Sequence, residues 1–293
     1  MTRLPRLLLA VFLTLGCIAA VLLQSMQAAL TIPAPTAQSP HTEVSQLNST
    51  QEIDFGRHFQ DLDVEGSILI QDLNNDRIYQ HNPNRNAIAF LPASTFKILN
   101  SLVALETGVI PNELAVLTWD GVHRSIPKWN RDLNMREAFK LSAVWFYQVL
   151  ARRVGHERMQ KWVTKTSYGN QKIGTKEDID KFWLEGELRI TPQEQIQFLR
   201  HLYQDNLPFS ETSLSIVKDI MIVEQTPDYT MRAKSGLVGF EQPQQPQIGW
   251  YVGYLEKDKN VYFFATNIDV RNDNDLSNRI ELTRRCFKDL GLF

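Results

Sequence analysis

An α+β fold is predicted for this chain: an antiparallel sheet flanked by helices, with a mostly helical lobe inserted between the two halves of the sheet. Three observations predict it. Strand-like runs lie at both ends of the globular region, helical periods fill its middle, and one more helix closes the C-terminus. Strands from the two ends would meet in one sheet, and the cleft between sheet and lobe is the natural place for a site. Composition is ordinary for a globular protein, with 43% hydrophobic and 22% charged residues among 293. A net charge of −2 gives no basic excess for nucleic acid. The six histidines (41, 58, 81, 123, 156 and 201) are scattered without ligand spacing, so no metal site is expected.

The N-terminus is a separate object. Arg3 and Arg6 precede an uncharged apolar stretch from Leu7 to Leu23, and small residues follow at Ala28 and Ala29. Basic, then apolar, then small is the layout of a secretory signal, so residues 1–29 are expected to be cleaved or, alternatively, to remain as an anchor. Any membrane contact would run through this segment, and the mature protein would be periplasmic or secreted. Cys17 follows Thr14-Leu15-Gly16, a poor context for lipid attachment. Residues 30–50, rich in Pro, Thr, Ser and Gln, read as a linker. The catalytic domain is expected over 51–293, as a monomer or homodimer. It would keep one cysteine, Cys286, which cannot form an internal disulfide and fits a buried position on the last helix.

Ser67–Leu73 and Arg77–His81 alternate as strands around the turn Asn74-Asn75-Asp76. Pro92 and Ser94 open a helix that runs through Leu105, with Gly108 beyond its end. Helical periods then cover Met135–Leu141, Ala143–Val154, His156–Thr164, Pro192–Tyr203 and Glu211–Val223. Strands return at Tyr229–Ala233, Ile248–Leu255 and Val261–Ile268, and a helix over Leu276–Leu290 ends the chain.

Chemistry enters through four short segments in a fixed order. Ser-x-x-Lys occurs three times, at Ser94/Lys97, Ser125/Lys128 and Ser215/Lys218. Lys128 follows Pro127 in a polar stretch and Lys218 adjoins Asp219, so both read as solvated charges. Lys97 instead lies among Phe96, Ile98, Leu99, Leu102 and Val103. One helical turn places it beside the Ser94 hydroxyl. Buried there, it would lose hydration and its pKa would fall, leaving an amine able to act as a base or to react with carbon dioxide. The alternative is a lysine that snorkels to solvent. Ser142-Ala143-Val144 opens an apolar helix, with Ser142 either as its N-cap or as a proton shuttle facing the cleft. Tyr168-Gly169-Asn170 is either a plain turn or part of the site. Lys234-Ser235-Gly236 is either a strand ending in a turn, or an edge strand whose Lys and Ser bind a carboxylate. In the second case Gly236 would let a substrate approach the backbone, and Arg279 would be a second cation for that anion.

Together these segments resemble the class D, or oxacillinase-type, serine β-lactamases of the penicillin-recognising enzymes. The similarity runs from about Ile53 to Phe293. It takes in Trp119-Asp120-Gly121 with Arg124 and Trp129, Ser142-Ala143-Val144-Trp145 with Tyr147-Gln148, Phe182-Trp183-Leu184, Asn267-Ile268-Asp269 and Arg279. The resemblance implies a β-lactamase/transpeptidase-like fold and hydrolysis of penicillin-type β-lactams, conferring antibiotic resistance. It also implies roles. Ser94 would be the acylated nucleophile and Lys97, as N6-carboxylysine, the general base. Trp183 would hydrogen-bond the carbamate, and Ser142 would relay a proton to the leaving nitrogen. Val144 and Leu184 would keep the pocket dry. Lys234, Ser235 and Arg279 would hold the drug carboxylate beside Tyr168, Asn170 and Gly236. The backbone N–H groups of Ser94 and Leu237 would form the oxyanion hole. No cofactor is implied beyond carbon dioxide or bicarbonate.

Ser235 stands where many relatives carry Thr, which keeps the hydroxyl. The class A enzymes fit less well: their second motif is Ser-Asp-Asn, and the nearest imitation of their Glu-x-x-Leu-Asn loop, Glu185 to Arg189, ends in Arg. Two alternatives use similar machinery. One is a β-lactam-sensing domain that is acylated without turnover; the other is a cell-wall D,D-peptidase.

Overall fold

The computed structural model describes residues 53–240 and 247–293. The segments read as signal (1–29) and linker (30–50) lie outside the described residues.

One antiparallel sheet organises the fold. Its strands are β1 (Gly66–Asp72), β2 (Arg77–His81), β5 (Ile222–Gln225), β6 (Tyr229–Val238), β7 (Gln247–Lys257) and β8 (Asn260–Val270), in the order β2-β1-β8-β7-β6-β5. The short strands β3 (Val116–Leu117) and β4 (Leu133–Asn134) pair separately. The two ends of the chain do meet in the sheet, because β1 lies against β8 with Leu69 opposite Ala265. Side chains alternate between the two faces. Trp250, Val252, Tyr254 and Phe263 join the helical lobe, whereas Ile68, Ile70, Leu255 and Phe264 pack under the C-terminal helix. Burial on both faces explains why β7 reads as a nearly continuous apolar run.

The helices are α1 (Gly56–Asp61), α2 (Pro83–Asn86), α3 (Lys97–Glu106), α4 (Met135–Leu141), α5 (Val144–Val154), α6 (His156–Lys165), α7 (Pro192–Tyr203), α8 (Glu211–Ile220) and α9 (Asp275–Asp289). Helix α3 is buried at every position from Lys97 to Ala104 and forms the axis of the lobe. Capping boxes start α4 at Asn134/Glu137 and α7 at Thr191/Glu194. Helix α9 covers the second face and buries Leu282, Cys286 and Phe287. Burial also pushes the Cys286 thiol pKa up, which leaves it an inert packing group.

Several element boundaries differ from the sequence expectation. The helix expected to run to Val223 stops at Ile220, and Ile222 and Val223 begin β5. Residues 93–96 form a 3-10 turn before α3 rather than its first turn. Strand β6 does not end at Ala233; its pairing with β7 continues to Val238 opposite Ile248. It is also not the outermost strand. However, β5 pairs only with Thr230–Arg232, so residues 234–238 have a strand on one side alone, and the 3-10 turn lies on the other.

Candidate active site

A cleft of about 680 Å³ opens where this unpaired half of β6 meets the lobe. Ser94, Ser142, Val144, Leu184, Ser235, Gly236, Leu237 and Arg279 all line it. Lys97, Trp183 and Lys234 are buried immediately behind: Lys97 and Trp183 are completely inaccessible, and Lys234 is 4% exposed.

Ser94 sits in the 3-10 turn that feeds α3. Lys97 Nζ donates to Ser94 Oγ at 2.7 Å. The Tyr147 ring centroid lies 5.4 Å from Lys97 Nζ. Burial, with a smaller contribution from the charge of Lys234, pulls the Lys97 pKa well below that of an ordinary lysine. The geometry therefore places an amine that favours its neutral form against a serine hydroxyl, and snorkelling is ruled out by the burial. The other two Ser-x-x-Lys matches lack this setting. Ser125 and Lys128 are exposed, and Lys218 pairs with Asp205 at 2.6 Å.

Ser142 is not an N-cap. It caps the C-terminus of α4 in the left-handed region, at φ 57° and ψ 33°, and Ala143 precedes α5. Glycine usually fills such a position, and a non-glycine residue there costs on the order of 1 kcal/mol. The junction is pinned from outside: Trp129 Nε1 donates to Leu141 O at 3.0 Å, and Trp145 Nε1 donates to Trp129 O at 2.8 Å. These bonds hold the Ser142 side of the junction at the cleft wall.

The third segment supplies positive charge. Lys234 Nζ donates to Ser235 O at 2.9 Å and lies 5.5 Å from the Phe139 ring. Burial, and then Arg279, lower its pKa to about 7. Arg279 reaches the same region from α9, its stem lying beside Gly249 on β7. Burial lowers the Arg279 pKa to about 10, and its Nε and Nη1 atoms are buried without a hydrogen-bond partner among the described residues. Buried donors without acceptors on a cation mark a place for an anion. Gly236 permits a close approach, but the near neighbour is protein. An added Cβ would lie 3.2 Å from Pro92 O and 3.3 Å from Thr95 Cγ2. Its smallness lets β6 abut the turn that carries the nucleophile.

Tyr168 and Asn170 do not line the cleft, contrary to their expected part in substrate binding. Tyr168 is 1% exposed, edge-on to Phe96 and Phe198. Asn170 bonds the main chain of Glu187, Lys172 and Arg189. Asn170 fastens the loop that carries Trp183 onto the lobe, whereas Tyr168 packs beneath the turn that carries Ser94, with its hydroxyl beside Thr95 and Gln195. Trp183 stacks on Phe96 with ring centroids 5.4 Å apart, and its indole N–H is buried without a partner among the described residues. Residues that no motif marked complete the cleft wall, among them Leu91, Ile126, Lys181 and Phe240. They carry no shared spacing, and only the folded chain gathers them.

Comparison with known proteins agrees with this arrangement. A family model described as the penicillin binding protein transpeptidase domain matches residues 65–288. The OXA-48 β-lactamase of Klebsiella pneumoniae is 43% identical over 234 residues, covering 80% of this chain and 86% of that protein. The OXA-5 β-lactamase of Pseudomonas aeruginosa is 40% identical over 243 residues, covering 83% and 90%. A solved class D β-lactamase from Nostoc superposes with a TM-score of 0.80 at 58% identity, covering 82% of this chain and all of that one. The FUS-1 class D enzyme of Fusobacterium nucleatum superposes at 0.78 with 38% identity, covering 82% and 98%. This chain belongs to the penicillin-binding transpeptidase-domain family and, within it, to the class D β-lactamases.

Proposed function

We propose that this protein hydrolyses the β-lactam amide of penicillin-type antibiotics through an ester on Ser94, and so confers resistance to them. The observation that carries the reading is the Ser94–Lys97 pair: a hydroxyl at the cleft wall, 2.7 Å from a fully buried lysine whose charge is disfavoured. As Ser94 Oγ attacks the lactam carbonyl, its proton passes to the Lys97 side chain. The N–H groups of Ser94 and Leu237 receive the developing oxyanion. The C–N bond then breaks, and Ser142 relays a proton to the departing nitrogen. Water attacks the ester, returns the proton to Ser94 and releases the opened acid.

The residues fit a Lys97 carboxylated by carbon dioxide: the amine favours its neutral form, and the Trp183 indole offers a buried N–H that lacks an acceptor. That carbamate would supply an anionic base for both proton transfers. Val144 and Leu184, half-buried at the cleft wall, would limit water around it. Because the signal-like residues 1–29 direct the chain to the periplasm or beyond, it would meet the drug before the drug reaches its target.

The test is penicillin hydrolysis by the purified mature domain with and without bicarbonate. Turnover that rises with bicarbonate is expected. Stoichiometric Ser94 ester without turnover in either condition would replace this reading by the sensor, and D-alanine release from a D-Ala-D-Ala peptide would replace it by the peptidase. Arg279→Ala should raise KM for a penicillin roughly 10- to 100-fold while changing kcat much less, since it removes a charge-assisted contact to a part of the drug that does not react. Steady-state kinetics check this, and a penicillin methyl ester, lacking the charge, should lose little.

A further inference from the structure

The turn that presents Ser94 is strained and is held from several directions. Ala93 has φ +47° and no exposed surface. A buried alanine in the left-handed region persists only where its neighbours over-determine it. Here Ala93 N–H donates to Trp183 O at 2.9 Å, and Trp250 Nε1 donates to Leu91 O at 2.9 Å. Pro92 O accepts both Thr95 N–H at 3.1 Å and Thr95 Oγ1 at 2.8 Å.

The Thr95 hydroxyl has one proton, and Pro92 O takes it. Its oxygen is then an acceptor, and Gln195 Nε2, on the first turn of α7, donates to it at 2.7 Å. This bond fixes which way the Gln195 amide faces. Gln195 is 1% exposed, and its Oε1 has no partner among the described residues. A buried, half-satisfied amide is a poor way to stabilise a core, because an apolar side chain of similar shape avoids the desolvation cost. What the amide does supply is direction: it holds the Thr95 hydroxyl in the rotamer that bonds Pro92 O.

We infer that Gln195 is a positioning residue for the nucleophile, acting through Thr95 on the left-handed turn at Ala93. The peptide that carries the Ser94 N–H is the Ala93–Ser94 peptide, so rotation at Ala93 would swing both that donor and Ser94 Oγ. The inference rests on Ser94 being the residue acylated.

The experiment measures the rate of Ser94 ester formation with a fluorescent penicillin by rapid quench, alongside the unfolding temperature. Gln195→Leu should slow acylation roughly tenfold without a matching loss of fold, since small misplacements of reacting groups are costly. Thr95→Val should also slow it, and the double variant should be no slower than Thr95→Val alone, because both changes break one chain of bonds. Gln195→Glu, nearly the same shape, gives a signature that packing does not. Its carboxylate cannot donate and its acid form can, so its acylation rate relative to the parent should recover as pH falls. Parental acylation rates in Gln195→Leu, or additive losses with a pH-independent ratio for Gln195→Glu, would overturn the inference. A parent protein that forms no Ser94 ester would instead overturn the function on which it rests.

Discussion

Replacing Lys97 by alanine should lower penicillin turnover about 10⁴-fold, the upper end of what one proton-transfer group contributes. The loss should appear in ester formation and ester hydrolysis alike, because among the described residues no second base hydrogen-bonds the Ser94 hydroxyl. The hydroxyl's partner is Lys97 Nζ at 2.7 Å, whereas Lys234 Nζ is engaged with Ser235 O at 2.9 Å. The sign of the pH dependence follows from the same geometry. Burial and the Lys234 charge hold the Lys97 pKa well below its ordinary value, so the amine is neutral over a wider range on the alkaline side. Acidification protonates it, removes the base and prevents reaction with carbon dioxide, so activity should be lost as pH falls. The variant should keep its fold, since a buried lysine without an opposing charge contributes desolvation cost rather than stability. Mass spectrometry of the protein after mixing with a penicillin, with an unfolding temperature beside it, checks both halves. Acylation at the parental rate in a folded Lys97→Ala protein would contradict the assignment.

Much of the scaffold was legible because local pattern and tertiary role coincide. Met135–Leu141 and Pro192–Tyr203 carry their own capping signals, and both match the folded boundaries. Legibility failed where the partner is remote. Ile222 and Val223 continue a helical period, yet pairing with β6 draws them into a strand. Lys234, Ser235 and Gly236 are weak strand formers, so local preference ends β6 at Ala233, whereas ten residues of register with β7 carry it to Val238. Ser142 followed by an apolar helix has the appearance of an N-cap; the left-handed turn that makes it a C-cap is usually announced by glycine, and here it is enforced by Trp129 and Trp145.

The site itself divides in the same way. The Ser94–Lys97 contact is local, one helical turn, and its apolar flanks announced the burial. The Arg279 side chain comes from α9 across the sheet, and nothing in its own neighbourhood distinguishes it from a surface arginine. From the sequence it could be offered only as a second cation for the anion, and the resemblance gave it its role on the drug carboxylate. Tyr168 and Asn170 show the reverse failure. Their side chains turn inward rather than outward to the cleft, Tyr168 onto Phe96 and Phe198 and Asn170 onto the main chain of Glu187 and Arg189. Gln195 belongs to no motif at all, and its bond to Thr95 spans 100 positions.

Removing the indole N–H of Trp183 should separate the two chemical steps. Trp183→Ala would leave a large cavity and cost about 3–5 kcal/mol of stability, so the cleaner variant is Trp183→Phe, which keeps most of the packing on Phe96 and Phe182. In the free protein it gives up nothing, because the N–H is buried without an acceptor and such a donor costs roughly 1–3 kcal/mol to leave unpaired. A folded Trp183→Phe protein should therefore be no less stable than expected from its lost area. What it lacks is the donor proposed to hold a carboxylated Lys97. Ester formation can still proceed through the neutral amine, whereas activating the hydrolytic water is assigned to the anionic carbamate, which stays deprotonated and presents two acceptor oxygens. Deacylation should fall about 100-fold, and acylation by much less, within the range of a single general-base contribution. An ester on Ser94 should then accumulate in the mass spectrum, and added bicarbonate should restore part of the turnover by mass action. Undiminished turnover, or an equal loss in both steps that bicarbonate leaves untouched, would remove Trp183 from this role and leave its backbone bond to Ala93 as its contribution to the site.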